Sequence, residues 1–285
     1  MRRLFFFICC ACAGQDTELL QRGGQAMRER RFAEAESIYR KLLESAPDDS
    51  RLHLNLGLAL YSGGKYDAAA GEIDRYLKAN PQPGPVYLLS GTTRLKLQKP
   101  CDAIVPLEKA RQWQASGEVL LELGDAYNGC KRYLDAGRTY EQAARARNGD
   151  LKLQRAAAQA YWEAREYSKA RPLFAKAQPA FGKDAEFLYE YGDTLVRLEG
   201  ASAGLSYLER AIATQPSLLA ARAALGKALL EAGRHQDAIE HLEAAVSADP
   251  ALWLALSKAY RAAGRDTDAE HATSEYRRRM SDRNQ

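Results

Sequence analysis

Histidine is scarce in this chain of 285 residues, and the four present, His53, His235, His241 and His271, do not group for metal binding or acid–base work. His235 and His241 stand six apart, on different faces of any helix, so the i,i+4 spacing that holds a metal ion is missing. No G-x-x-x-x-G-K-[ST] loop, no G-x-S-x-G elbow and no strand–turn–helix setting for a dinucleotide occurs. These absences leave no catalytic residue, metal site or cofactor to name, and argue against a hydrolase or glycan-acting enzyme. Charge of one sign is also weak. The formal +4 falls to about +2 without Arg2 and Arg3, too little to make nucleic acid the main partner. Proline numbers only 10, and no Gly/Ser linker or low-complexity tract divides the chain. The apolar run Leu4–Cys10 is far shorter than the ~20 residues that span a bilayer.

What the chain does have is a period. Small residues recur as Gly23, Gly57, Gly91, Gly124, Ala158, Gly192, Gly226 and Ser257, roughly 34 residues apart. Twelve positions after each comes another: Ala35, Ala69, Ala103, Ala136, Ala170, Gly204, Ala238 and Ala269. Between them the sequence reads as two amphipathic helices. Leu54, Leu56, Leu58 and Leu60 surround Gly57, the pattern breaks at Gly63-Gly64-Lys65, and a second helix starts at Tyr66 and ends before Pro81. Glycine inside a helix costs roughly 1 kcal/mol against alanine, so the repeated small residues imply close approach of two helix backbones. Such periodicity predicts a stacked-repeat solenoid that presents surface for binding.

Numbering each first small residue as position 8 brings the other sites into register. Position 24 holds Tyr39, Ile73, Leu107, Tyr140, Phe174, Leu208, Leu242 and Thr273. Position 32 holds Pro47, Pro81, Pro216 and Pro250, where proline ends a helix. The frame closely resembles the tetratricopeptide repeat, with a large residue at 4, a small one at 8, an aromatic or aliphatic at 11, Ala at 20 and Pro near 32. Gln154 and Arg222 depart from it at position 4, as does Arg94 at position 11. The seventh-to-eighth step is short at 31, which predicts a tighter turn.

The resemblance implies an all-α, right-handed superhelical solenoid of about eight helix-turn-helix repeats, starting near residues 16, 50, 84, 117, 151, 185, 219 and 250. The array covers 15–280 as one continuous body, followed by a polar tail at 281–285. It also implies a concave groove lined by the first helix of each repeat. That surface is apolar at Leu54, Leu58, Tyr61 and Leu88, polar and aromatic at Arg155, Trp162 and Tyr189, and basic at Lys227, Lys258 and Arg261. Tyr61, Arg155, Trp162 and Tyr189 are the candidate anchors for a peptide or partner domain, since aromatic and arginine side chains concentrate binding energy. The alternative for each is a solvated face or packing between neighbouring helices. The clamp some members use for a C-terminal carboxylate is incomplete: the fifth repeat has Arg155 and Gln159, but Glu190 follows, and its carboxylate would repel the ligand.

By the same stacking, Cys101 opens a second helix and Cys130 closes the following first helix, so the resemblance implies neighbouring helix ends and a disulfide between them. Two buried free thiols are the alternative. Met1–Gly14 reads as an export leader: Arg2 and Arg3, an apolar core, then Ala11-Cys12-Ala13 as a cleavage site. A lipid on Cys12 or Cys10, a start codon farther upstream and a frayed hydrophobic N-terminus are the other readings. The expectation is an exported, periplasmic or extracellular, non-enzymatic interaction scaffold. Its partner is a protein or peptide, with no nucleic acid, no small-molecule cofactor, and membrane contact only through an N-terminal lipid. The alternative is an envelope accessory chain that regulates or anchors an enzyme or assembly complex.

Overall fold

The computed structural model describes residues 16–82 and 84–282, and the regular structure among them is entirely α-helical, in sixteen helices. They form two compact units that divide between Ala146 and Arg147. Unit 1 holds α1 (residues 16–28), α2 (Phe32–Ser45), α3 (Ser50–Ser62), α4 (Tyr66–Ala79), α5 (Val86–Lys96), α6 (Pro100–Trp113), α7 (Gly117–Gly129) and α8 (Tyr133–Ala146). Unit 2 holds α9 (Leu151–Glu163), α10 (Tyr167–Phe181), α11 (Ala185–Glu199), α12 (Ala201–Thr214), α13 (Leu219–Glu231), α14 (His235–Ala245), α15 (Leu252–Ala262) and α16 (Asp266–Asp282). Each unit is a stack of tetratricopeptide-like helix pairs, an odd-numbered helix followed by an even-numbered one. The expected leader, with Cys9, Cys10 and Cys12, lies outside the described residues. The expected tail is in part helical, because α16 runs through Asp282.

One left-handed residue turns most pairs: Arg30, Gly64, Gln98, Lys131, Arg165, Gly233 and Gly264 all have φ between 57° and 78°. They share one place in the frame. Gly64 adopts it without strain, while a side chain there costs on the order of 1 kcal/mol. After it, the backbone N–H of Lys65 reaches back to the Leu60 carbonyl at 2.8 Å, closing the end of α3.

The small residues act differently from the expectation. A methyl group at Gly57 would lie 2.9 Å from the Ile73 side chain, at Gly124 2.6 Å from the Tyr140 ring, and at Gly226 2.7 Å from Leu242. Position 8 is small chiefly to seat the large side chain of position 24, which is almost fully buried in each case. The tightest backbone approach is at Gly204, where a methyl would fall on the Gly192 carbonyl. The last pair changes both partners together. Ser257 replaces glycine, Thr273 replaces the large residue, and their hydroxyls converge on the Ala269 carbonyl at 2.9 and 2.8 Å.

Three junctions between consecutive pairs within the units are tied by a second link, from position 11 of one repeat to position 25 of the repeat before it. The Tyr260 hydroxyl donates to Glu243 at 2.5 Å, and Tyr127 donates to Glu108. Arg94, a departure from the family pattern, makes the same connection as a bidentate ion pair with Asp74 at 2.8 and 2.9 Å. Arg132 and Arg265 stack over the two tyrosine rings at 4.6 and 4.5 Å. The short seventh-to-eighth step is not a tighter turn: α14 has 11 residues where α12 has 14, so the missing residues come out of the helix. Cys101, in the first turn of α6, and Cys130, at the C-terminus of α7, are neighbours with Cα atoms 5.0 Å apart and sulfurs at bonding distance.

Candidate functional site

Helices α9, α11 and α13 of unit 2 enclose a cleft of about 760 Å³. Helical periodicity explains who lines it. On α9 Trp162 faces it, and on α11 Tyr189, Asp193 and Arg197, spaced four apart, share the face that lines it. The Trp162 indole N–H donates to Asp193 Oδ2 at 2.8 Å, and its ring meets Tyr189 edge to face at 5.6 Å. Arg197 Nε holds the other Asp193 oxygen at 3.3 Å. These four side chains form one preorganised wall. Opposite them α13 presents Ala220, Ala223 and Ala224, whose small side chains leave the space open, with Lys227 exposed beyond.

The electrostatics of the wall follow from burial. Desolvation pushes the Tyr189 hydroxyl up to about 12, with Asp193 adding to the effect, so it stays a neutral donor. Behind it Glu190 is 4% exposed, and Gln159 Nε2 donates to one of its oxygens at 2.8 Å while the other has no partner. Burial raises this carboxyl from 4.5 to about 8, against the pull of Arg155. The packing therefore favours the protonated form of Glu190. The same packing opposes the repulsion expected of its carboxylate, by withdrawing the group from the surface and favouring its neutral form.

The structure brings Trp162, Tyr189 and Lys227 together at this cleft and leaves Arg155 out. The Arg155 guanidinium pairs with Asp184 at 3.0 and 3.3 Å and lies over the Phe181 ring at 5.0 Å. Asp184 also caps α11, accepting from the Phe187 N–H at 2.9 Å, so Arg155 is engaged within the fold. In unit 1, Leu54, Leu58, Tyr61 and Leu88 are half-buried. Tyr61 packs edge-on to Tyr66 at 5.5 Å, and Leu88 packs on the cluster of Tyr87, Ala110 and Val119. None of the four lines the unit's cleft of about 880 Å³, which lies instead around His53, Glu72 and Arg75. There His53 is held between Glu72 at 2.6 Å and the Pro47 carbonyl at 2.8 Å. Sequence reading missed the Asp193–Arg197 support of Trp162 and the buried state of Glu190. The signal was present as a repeated Glu-x-Gly-Asp, at Glu122–Asp125 and Glu190–Asp193.

Among the described residues no cluster of His, Cys, Asp and Glu could hold a metal ion, and no helix is long and apolar enough to cross a membrane. Family models for the tetratricopeptide repeat match residues 20–82, 155–218, 189–252 and 229–284. Solved structures with the same fold include MamA from Desulfovibrio magneticus, 20% identical with a TM-score of 0.51 over 57% of this chain and 92% of that one. A tetratricopeptide repeat protein from Parabacteroides merdae is 14% identical with a TM-score of 0.50, over 86% and 98% of the two chains. The Cut9–Hcn1 assembly of the APC/C is 17% identical with a TM-score of 0.51, over 90% and 52%. None of the curated proteins matches the sequence.

Proposed function

We propose, from the premise that the chain belongs to the tetratricopeptide repeat family and is a protein-interaction scaffold, that the unit 2 cleft is where an extended or helical peptide docks. The observation that carries this is the wall of Trp162, Tyr189 and Asp193: an aromatic pair fixed by its own hydrogen bond, beside open space over three alanines. Aromatic groups held in place before binding lose little entropy on contact, which is what concentrates affinity in a few residues. Binding, not chemistry, is the mechanism. Removing Trp162 and Tyr189 together as alanines should lower affinity for captured partners about 100-fold, with helicity unchanged by circular dichroism. Equal capture by the folded double variant would sink the assignment.

Export belongs to the same proposal. It is supported by the leader-like residues 1–14 and by the juxtaposition of Cys101 and Cys130, which an oxidising compartment would convert to a disulfide. Thiol titration of the denatured, non-reduced mature protein should find neither Cys101 nor Cys130 reactive, and both after reduction. Two reactive thiols before reduction would contradict it.

A further inference from the structure

Beside the aromatic cleft, and sharing Lys227 and Glu231 with it, lies a second hollow of about 450 Å³ between α13 and α15. Its floor is apolar: Leu230, Ala251, Leu254 and Ala255. Leu254 is 40% exposed, an unusual degree for a leucine facing a recess. Lys227 and Lys258 stand on either side, at the same place in successive repeats, and both are exposed. Arg261, one turn after Lys258, extends the stripe. Among the described residues none of these three cations has an ion-pair partner; that sets Arg261 apart from most of the described arginines, while among the lysines pairing is the exception, at Lys65 and Lys169. Glu231 is the one acid in the hollow, and its charge also acts on Arg197 across the larger cleft. The apolar floor is thus flanked by two lysines against one acid, a net positive rim.

We propose that this hollow selects an aliphatic side chain flanked by carboxylates, within the same extended segment that docks at the aromatic cleft; the inference rests on that docking reading. Packed helices lie about 8 to 10 Å apart, and an extended chain rises ~3.3 Å per residue with alternate side chains on one side. An acid, an aliphatic residue and a second acid at every other position therefore face the hollow together. The acids straddle the floor over about 13 Å, within reach of two flexible lysine side chains. A protein segment of the form acid-x-Leu-x-acid fits this chemistry. A flat lipid surface does not, because the apolar floor is recessed between the two helices.

Random displayed peptides selected on the full chain, on Lys227→Glu/Lys258→Glu and on Trp162→Ala/Tyr189→Ala test the proposal. The wild-type protein should enrich peptides with acids on both sides of an aliphatic residue. The charge-reversed protein should bind the selected peptide about tenfold or more weakly and prefer its Lys-flanked counterpart. The lysines are exposed, so reversal leaves the fold intact, and the gained preference for basic flanks is a readout that misfolding could not produce. Enrichment that depends on Trp162 and Tyr189 but shows no acidic bias would overturn this inference and leave the docking reading standing. Failure to enrich any peptide would overturn both, and capture of phosphatidylglycerol vesicles in place of peptides would overturn the choice of a protein segment.

Discussion

At pH 9 the Glu190→Gln variant should unfold several degrees above the wild-type protein, while at pH 4 the two should unfold together. The cause is that the carboxyl is buried, with Gln159 its single hydrogen-bond partner, and binds its proton up to about pH 8 when folded but only to about 4.5 when unfolded. A group whose folded pKa is raised stabilises the fold fully below the unfolded value. It loses that contribution as pH climbs to the folded one, here between 4.5 and about 8. The gap bounds the loss at roughly 5 kcal/mol, and relaxation of Arg155 toward the ionised carboxylate reduces it to about 2 to 4 kcal/mol. Glutamine keeps the shape and the bond from Gln159 but cannot ionise. A melting curve recorded across this range decides the matter: an equal shift at pH 4 and pH 9 would mean that ionisation is not the cause.

Gly204→Ala should destabilise the protein by about 2 to 4 kcal/mol, although alanine is the better helix former by about 1 kcal/mol. The added methyl meets the Gly192 carbonyl and the Val196 side chain, and a backbone carbonyl has no rotamer into which to retreat. The helices α11 and α12 must separate, loosening the burial of Leu208 and Leu195 beside them. Gly71 is the control. It sits inside α4 with nothing near its missing side chain, so Gly71→Ala should stabilise by up to about 1 kcal/mol. Denaturant unfolding of the two variants should therefore move the midpoint in opposite directions, and movement in the same direction would refute the steric assignment.

The fold was legible because its determinants are local and repeated. Gly57, Ala69, Ile73 and Pro81 recur in register, and any one frame predicts the next. The adjacency of Cys101 and Cys130 was implied by the helix stacking of the family that the frame resembles. The reason for the ladder was not legible. Gly124 and Ala136 look alike as small residues, yet the first seats the Tyr140 ring, a fact that depends on which way a side chain of the next helix leans. The site was harder for the same reason. Arg155 and Trp162 both occupy groove positions of one helix, and only tertiary contact separates them: Asp184 and Phe181 draw the arginine aside, while Asp193 holds the indole at the cleft. Charge was misread at Glu190, because a carboxylate in a sequence carries its solution pKa and burial is what changes it.

The exchange of glycine and a bulky partner for Ser257 and Thr273 gives the final helix pair a different response to cold. Seams closed by Ile73, Leu107 or Leu242 draw on the aversion of water for hydrocarbon, which fades as temperature falls and gives unfolding its large heat capacity. In the last pair Leu256, Ala259 and Ala272 still bury hydrocarbon, but at this one contact two hydroxyls on one carbonyl stand where the other seams bury a large side chain, and that contact has the flatter dependence on temperature. Chilling therefore weakens the contacts sealed by Leu208 and Leu242 more than the contact of Ser257 with Thr273 at the end of unit 2.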